Sequence, residues 1–157
     1  MDITIHDVTQ ENVQEILNLR VGEAQQNFIE TTRQCLDEAK ECANFKPVGL
    51  YSDSCLIGFA MYGHFSEGGE KGRVWLDRFL IDAKYQGFGY GKTMLNAMIQ
   101  KLVDEFSCND IYLSVYEENK AAIRLYEKFD FRFNGESDEN NEKIMVKIFP
   151  NLNGQQQ

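Results

Sequence analysis

Ile3, Ile5 and Val8 mark a first strand, and Val13, Ile16 and Leu17 then recur at helical spacing within Gln10–Leu19. Thr31–Ala43 carries Cys35, Leu36, Ala39 and Cys42 on one side and reads as a second helix. Pro47–Tyr51 and Cys55–Tyr62 are apolar runs joined by Ser52-Asp53-Ser54, a hairpin pattern. A polar loop, His64–Gly72, precedes a central strand, Arg73–Ile81. The glycine-rich turn Gln86–Gly91 then opens a helix running to about Phe106, with Met94, Leu95, Met98, Leu102 and Val103 inward. Asp110–Val115 is a strand and Asn119–Phe129 a helix. Phe131–Phe133 and Ile144–Ile148 close the fold around a polar turn, Asn134–Lys143.

The order β-α-α-β-β-β-α-β-α-β-β predicts an α+β fold. An antiparallel meander feeding a β-α-β crossover gives a mixed, mostly antiparallel twisted sheet with a central parallel pair, flanked by helices. A chain of 157 residues suits one domain over residues 1–150, with residues 151–157 expected to fray as a polar tail. Hydrophobic residues at 43% and charged residues at 26% place it among globular proteins. The N-terminus MDITIHDVTQ lacks a basic stretch followed by an apolar one, and no apolar run approaches the roughly 20 residues of a bilayer span. A cytoplasmic protein without a membrane partner is expected.

The net charge of −9 argues against nucleic-acid binding and is compatible with a small cationic ligand. Cys35, Cys42, Cys55 and Cys108 form no CxxC pair and read as small apolar residues. With His6 and His64 as the only histidines, no zinc ligand set is present and no metal is expected.

The segment Gln86-Gly87-Phe88-Gly89-Tyr90-Gly91 lies between a strand and an amphipathic helix. Glycines at alternating positions let backbone N–H groups approach an anion, and the first-turn amides carry the positive end of the helix dipole. A dinucleotide fingerprint needs glycine at 87, 89 and 92, but position 92 is lysine. A P-loop ends as Gly91-Lys92-Thr93 does but starts with glycine, where this chain has Gln86. A purely structural turn also remains open here. Gln86–Gly91 does match Q/R-x-x-G-x-G/A, and about thirty residues on, Asn119, Ala122 and Tyr126 share one helical face within roughly 60°. Taken singly, Asn119 fits a simple N-cap and Tyr126 a core aromatic.

The two segments together resemble the GNAT acetyltransferase superfamily, with a likeness running from the first strand through Ile148. The resemblance implies a coenzyme A (acetyl-CoA) site. Backbone groups of Phe79, Leu80 and Ile81 would pair with the pantetheine arm, and Gln86, Gly87, Phe88, Gly89, Tyr90, Gly91 and Lys92 would cradle the pyrophosphate. Asn119, Ala122 and Tyr126 would lie beside the cysteamine end. Asp130 departs from the pattern, because the family usually has glycine there to cap the helix in a left-handed conformation. Pairing into a homodimer is a further implication of the likeness.

Direct acetyl transfer needs a neutral amine to attack and a thiolate to leave. A phenol with pKa near 10 stays protonated at pH 7 and can donate to a thiolate, so Tyr126 is the expected general acid. No serine–histidine or cysteine–histidine pairing points to an acyl-enzyme. An alkylammonium near pKa 10.4 must first lose a proton. Alternation puts Trp75, Asp77 and Phe79 on one face with Arg78 opposite. Asp77 is a candidate to orient the ammonium and take that proton, directly or through water, and an Asp77–Arg78 neighbourhood satisfied structurally by loops is the other reading. Phe28-Ile29-Glu30, Trp75–Phe79, Tyr85–Gly91 and Phe133-Asn134-Gly135-Glu136 resemble bacterial diamine (spermine/spermidine) acetyltransferases. That likeness implies Glu30 and Asp77 as amine-recognising carboxylates, with Tyr62 or Trp75 lining the apolar spacer. An acetyltransferase for a peptide or another small amine, a CoA-binding module without turnover and an NTPase are the other readings the residues leave open.

Overall fold

The computed structural model describes residues 2–22, 31–66 and 72–150. Within them the chain runs β1 (Ile3–Asp7), α1 (Val13–Leu17), α2 (Thr32–Glu41), β2 (Lys46–Ser52), β3 (Cys55–Phe65) and β4 (Arg73–Ile81). A 3-10 turn (Ala83–Tyr85), α3 (Tyr90–Phe106), β5 (Asp110–Val115), α4 (Lys120–Lys128), β6 (Arg132–Ser137) and β7 (Lys143–Ile148) follow. The described strands form a seven-stranded sheet in the order β1-β2-β3-β4-β5-β7-β6. Neighbours are antiparallel except β4 and β5, which are parallel, so the expected mixed sheet with its central parallel pair is the observed one.

Strand alternation divides the core between the two faces. Val48, Leu50, Leu76, Leu113 and Met145 pack with Met94, Leu95, Met98 and Leu102 of α3 and Ile123 and Tyr126 of α4. Phe59, Met61 and Leu80 pack on the opposite side against Ile16, Leu19 and Cys35. The hydroxyl of Thr31 accepts from the Gln34 amide while its own amide donates to Gln34 Oε1 at 2.8 Å, a reciprocal capping box that starts α2. Among the described residues no helix is long and apolar enough to cross a membrane.

Local hydrogen bonding explains where elements depart from the hydrophobic pattern. α1 is shorter than Gln10–Leu19 because Asn12 accepts from the Thr9 amide (2.8 Å) and donates to the Asp7 carbonyl (3.0 Å), turning the chain before Val13. β3 continues through His64 and Phe65, which pair with Val74 and Arg73, where a loop was expected. β6 reaches Ser137 rather than stopping at Phe133, and all its residues are exposed, so no apolar face announces it. The cysteines are all free, but Cys55 is exposed, with its sulfur 3.1 Å from the Tyr85 hydroxyl.

The departure that shapes the site lies in β4. Met61 pairs with Arg78 and Tyr62 with Leu76, leaving Asp77 as an extra residue in a β-bulge. The bulge shifts the alternation by one. Val74 and Leu76 before it and Phe79 and Ile81 after it all face the α3/α4 cluster. Trp75, Asp77 and Phe79 therefore do not share the face that unbroken alternation assigns them.

Candidate active site

Gly87 (φ 86°) and Gly89 (φ 87°) give the turn between β4 and α3 its shape. A Cβ at either position would meet nothing within 4 Å, so backbone conformation and not crowding requires glycine there. Gly89 is the N-cap of α3 and offers no side-chain acceptor, and the first turn holds no acidic residue. The amides of Tyr90, Gly91 and Lys92 therefore stay open at the positive end of a 17-residue helix. Gln86 ties this turn to β4 by donating from Nε2 to the Ile81 carbonyl at 2.9 Å. Phe88 at the tip is exposed, and the Tyr90 ring sits edge-on to Tyr85. The result is an anion cradle.

Among the described residues β4 and β5 register at a single position, Trp75 with Tyr112. Beyond it the strands part toward their carboxyl ends, where open α/β sheets place ligands. A cavity of about 260 Å3 there is lined by Phe79, Leu80, Ile81, Gln86, Gly87, Gly91, Asn119, Ala122 and Tyr126, among others. A second cavity, of about 40 Å3, is lined by Asp77, Arg78, Ser114 and Glu142 and by Phe79, Asn119, Ala122 and Tyr126. The last four residues line both and form the wall where the cavities meet.

Tyr126 occupies that wall because α4 is fixed at both ends. Asn119 is the N-cap, its side chain accepting from the Ala122 amide at 3.4 Å. At the other end Phe131 N–H donates to the Tyr126 carbonyl (3.1 Å) and Asp130 N–H to that of Glu127 (3.0 Å), a Schellman pair. Asp130 adopts the left-handed conformation at φ 70°, as the cap demands of whichever residue stands there. The Phe131 ring then packs edge-on to the Tyr126 ring, centroids 5.9 Å apart. Tyr126 is 9% exposed. Burial first, and the charge of Glu142 second, push its hydroxyl up to about 12, so it remains a proton donor at neutral pH.

The profile of the Acetyltransferase (GNAT) family matches residues 11–131. This chain belongs to the GNAT acetyltransferase family. A Bacillus subtilis (strain 168) protein named spermine/spermidine N(1)-acetyltransferase is 55% identical over 150 residues, 94% of this chain and 99% of that protein. Spermidine N-acetyltransferase from Vibrio cholerae, solved in complex with CoA and spermine, matches with TM-score 0.70 at 17% identity, over 93% of this chain and 95% of that one. An aminoglycoside acetyltransferase in complex with coenzyme A matches with TM-score 0.77 at 19% identity, over 94% and 95% of the chains. At such identities the two structures speak for the GNAT fold alone.

This GNAT chain brings Asp77, Phe79, Asn119, Ala122 and Tyr126 together and leaves other expected residues elsewhere. Tyr62 is 2% exposed and donates to Glu105 Oε1 at 2.7 Å, near the far end of α3 from the anion cradle. It is a core residue and lines neither cavity. Trp75 is partly exposed against Tyr112, ring centroids 5.5 Å apart, and also lines neither. Glu30, with Phe28 and Ile29, lies outside the described residues. Arg78 does not face away from Asp77: Nη1 donates to Asp77 Oδ2 at 2.8 Å and Nη2 to Glu38 Oε1 at 3.2 Å, linking the bulge to α2. Ser114 and Glu142 are the site residues the sequence did not disclose. Ser114 is one of the polar alternates of β5, and Glu142 sits unmarked in the polar stretch before β7.

Proposed function

We propose that this GNAT enzyme transfers the acetyl group of acetyl-CoA to a primary amine of a polyamine, spermidine or spermine, by direct attack. The observation that carries the reading is Tyr126, buried on the wall shared by the cavity at the anion cradle and the cavity that holds Asp77. The polyamine choice is supported by the 55% identical relative named for spermine and spermidine, and by a net charge of −9.

The residues present fit the cofactor. Gln86, Gly87, Phe88, Gly89, Tyr90, Gly91 and Lys92 would hold its pyrophosphate through backbone amides. Phe79, Leu80 and Ile81 would pair with the pantetheine arm, and Asn119 and Ala122 would lie near the thioester end. When bound, acetyl-CoA supplies an activated acyl group. Asp77, fixed by Arg78, orients the substrate ammonium, and Tyr126 gives its proton to the departing sulfur. Burial pushes the Tyr126 hydroxyl up to about 12, and the same dehydrated cleft would raise the basicity of a thiolate leaving into it. The proposal extends to a cytoplasmic homodimer, which sedimentation analysis of the purified chain tests.

A thiol-release assay with acetyl-CoA and a panel of spermine, spermidine, putrescine, an aminoglycoside, amino acids and peptides tests the function. Turnover is expected with spermidine and spermine well above the rest. CoA binding without turnover of any amine overturns the enzymatic reading. Activity confined to peptides rejects the polyamine.

A further inference from the structure

The smaller cavity holds two carboxylates in different circumstances. Asp77 reaches it from the bulge in β4, and Glu142 from the residue before β7; β5, with Ser114, runs between those strands. At about 40 Å3 the space is roomy enough for an ammonium or for a water between it and a carboxylate. The charge of Asp77 is met at 2.8 Å by the Arg78 guanidinium, which suits orientation more than proton uptake. Glu142 stands on a rigid turn. Its amide donates to Asp138 Oδ1 and its carbonyl accepts from the Asp138 amide, both at 2.9 Å, and the Ser114 hydroxyl donates to its Oε1 at 3.4 Å.

We infer that Glu142 accepts the proton from the attacking amine while Asp77 orients it, an inference that rests on the acetyl transfer proposed above. Glu142 lines the same cavity wall as Tyr126, and its charge is felt at the Tyr126 hydroxyl. Base and acid thus line one small cavity. The step balances: the alkylammonium leaves one proton on Glu142, and the freed lone pair bonds to the acetyl carbonyl carbon. As the C–S bond breaks, its electron pair leaves on sulfur with the Tyr126 proton, and the second proton lost by the nitrogen restores the phenol. Glu142 returns its own proton to solvent.

Glu142→Gln keeps the shape of the side chain and removes the base. At pH 7 its kcat/KM for spermidine is expected to fall at least about 100-fold, the lower end for a lost general base. CoA affinity and thermal midpoint should stay at the wild-type values, and Glu142→Asp should recover part of the rate. The decisive readout is the pH profile. Near pH 10, where an alkylamine of pKa about 10.4 supplies its own neutral form, the gap between Glu142→Gln and wild type should close to about threefold. A deficit that persists to pH 10, or a variant within twofold of wild type at pH 7, overturns the assignment of Glu142 alone. If spermidine is not turned over but another amine of the panel is, the same comparison is made with that amine. A wild-type chain inert toward every amine overturns the acetyltransferase reading and this inference together.

Discussion

The phenol of Tyr126 is held by the residues that end its own helix, Asp130 in the left-handed region and Phe131 against its ring. Tyr126→Phe should lower kcat by about 10²- to 10⁴-fold while CoA affinity, read by calorimetry, changes little; unchanged turnover would remove Tyr126 as the acid. The raised hydroxyl also predicts where activity and stability fall with pH. A general acid works only while protonated, so the alkaline limb set by Tyr126 should lie toward about 12 and not at the ordinary 10. Its contribution to folding is fully present below about 10 and is lost as pH rises from there through about 12, because the unfolded phenol ionises first. Burial raises the Tyr62 and Tyr112 hydroxyls as well, so the late part of the phenolate absorbance should shrink by one tyrosine in Tyr126→Phe and not vanish. At Asp130 the left-handed backbone costs a non-glycine residue about 1–2 kcal/mol, against roughly 0.5–1 kcal/mol of extra unfolded-state entropy for glycine. Asp130→Gly is therefore expected to stabilise the fold by about 0.5 kcal/mol, seen as a higher urea midpoint at constant m-value. Tyr62 poses the opposite case. Tyr62→Phe should cost about 1 kcal/mol for the bond to Glu105 and leave the KM for spermidine unaltered.

Among the elements, the turn into α3 was the most legible, since its chemistry is local. Glycines at alternating positions announce positive φ, and a helix directly after them announces free amides. Gly89→Ala should lose about 1–2 kcal/mol of stability in the left-handed region and weaken CoA binding further, as the cradle distorts. A variant with wild-type affinity would show that the anion rests elsewhere. The bulge in β4 was not legible, because it exists only as a mismatch in register between Met61–Tyr62 and Leu76–Arg78. Read alone, Arg73–Ile81 alternates without interruption, and Asp77 and Arg78 fall on opposite faces. β6 escaped for a related reason: every residue in it is exposed, so pairing with β7 defines it and no hydrophobic pattern does.

Over the whole molecule, a net charge of −9 attracts cations, and the proposed polyamine substrate would feel that attraction more than a monoamine. The kcat/KM for spermidine should drop several-fold between about 0.02 M and 0.5 M salt, as the screening length shortens, and much less for a monoamine; equal salt dependence would deny the field a part in capture. The sequence by itself determined the succession of elements, the mixed sheet with its central parallel pair, the glycine turn that opens α3 and the helical face bearing Asn119, Ala122 and Tyr126. All of these follow from spacing along one segment or from the order of segments. Tertiary structure decided which carboxylates meet the phenol. The parting of β4 from β5, the bulge at Asp77 and the place of β7 beside β5 bring Asp77, Ser114 and Glu142 into one cavity from two strands and the turn that leads into a third. Those residues lie up to sixty-five positions apart, and only strand pairing, which no local pattern encodes, sets the distance between them.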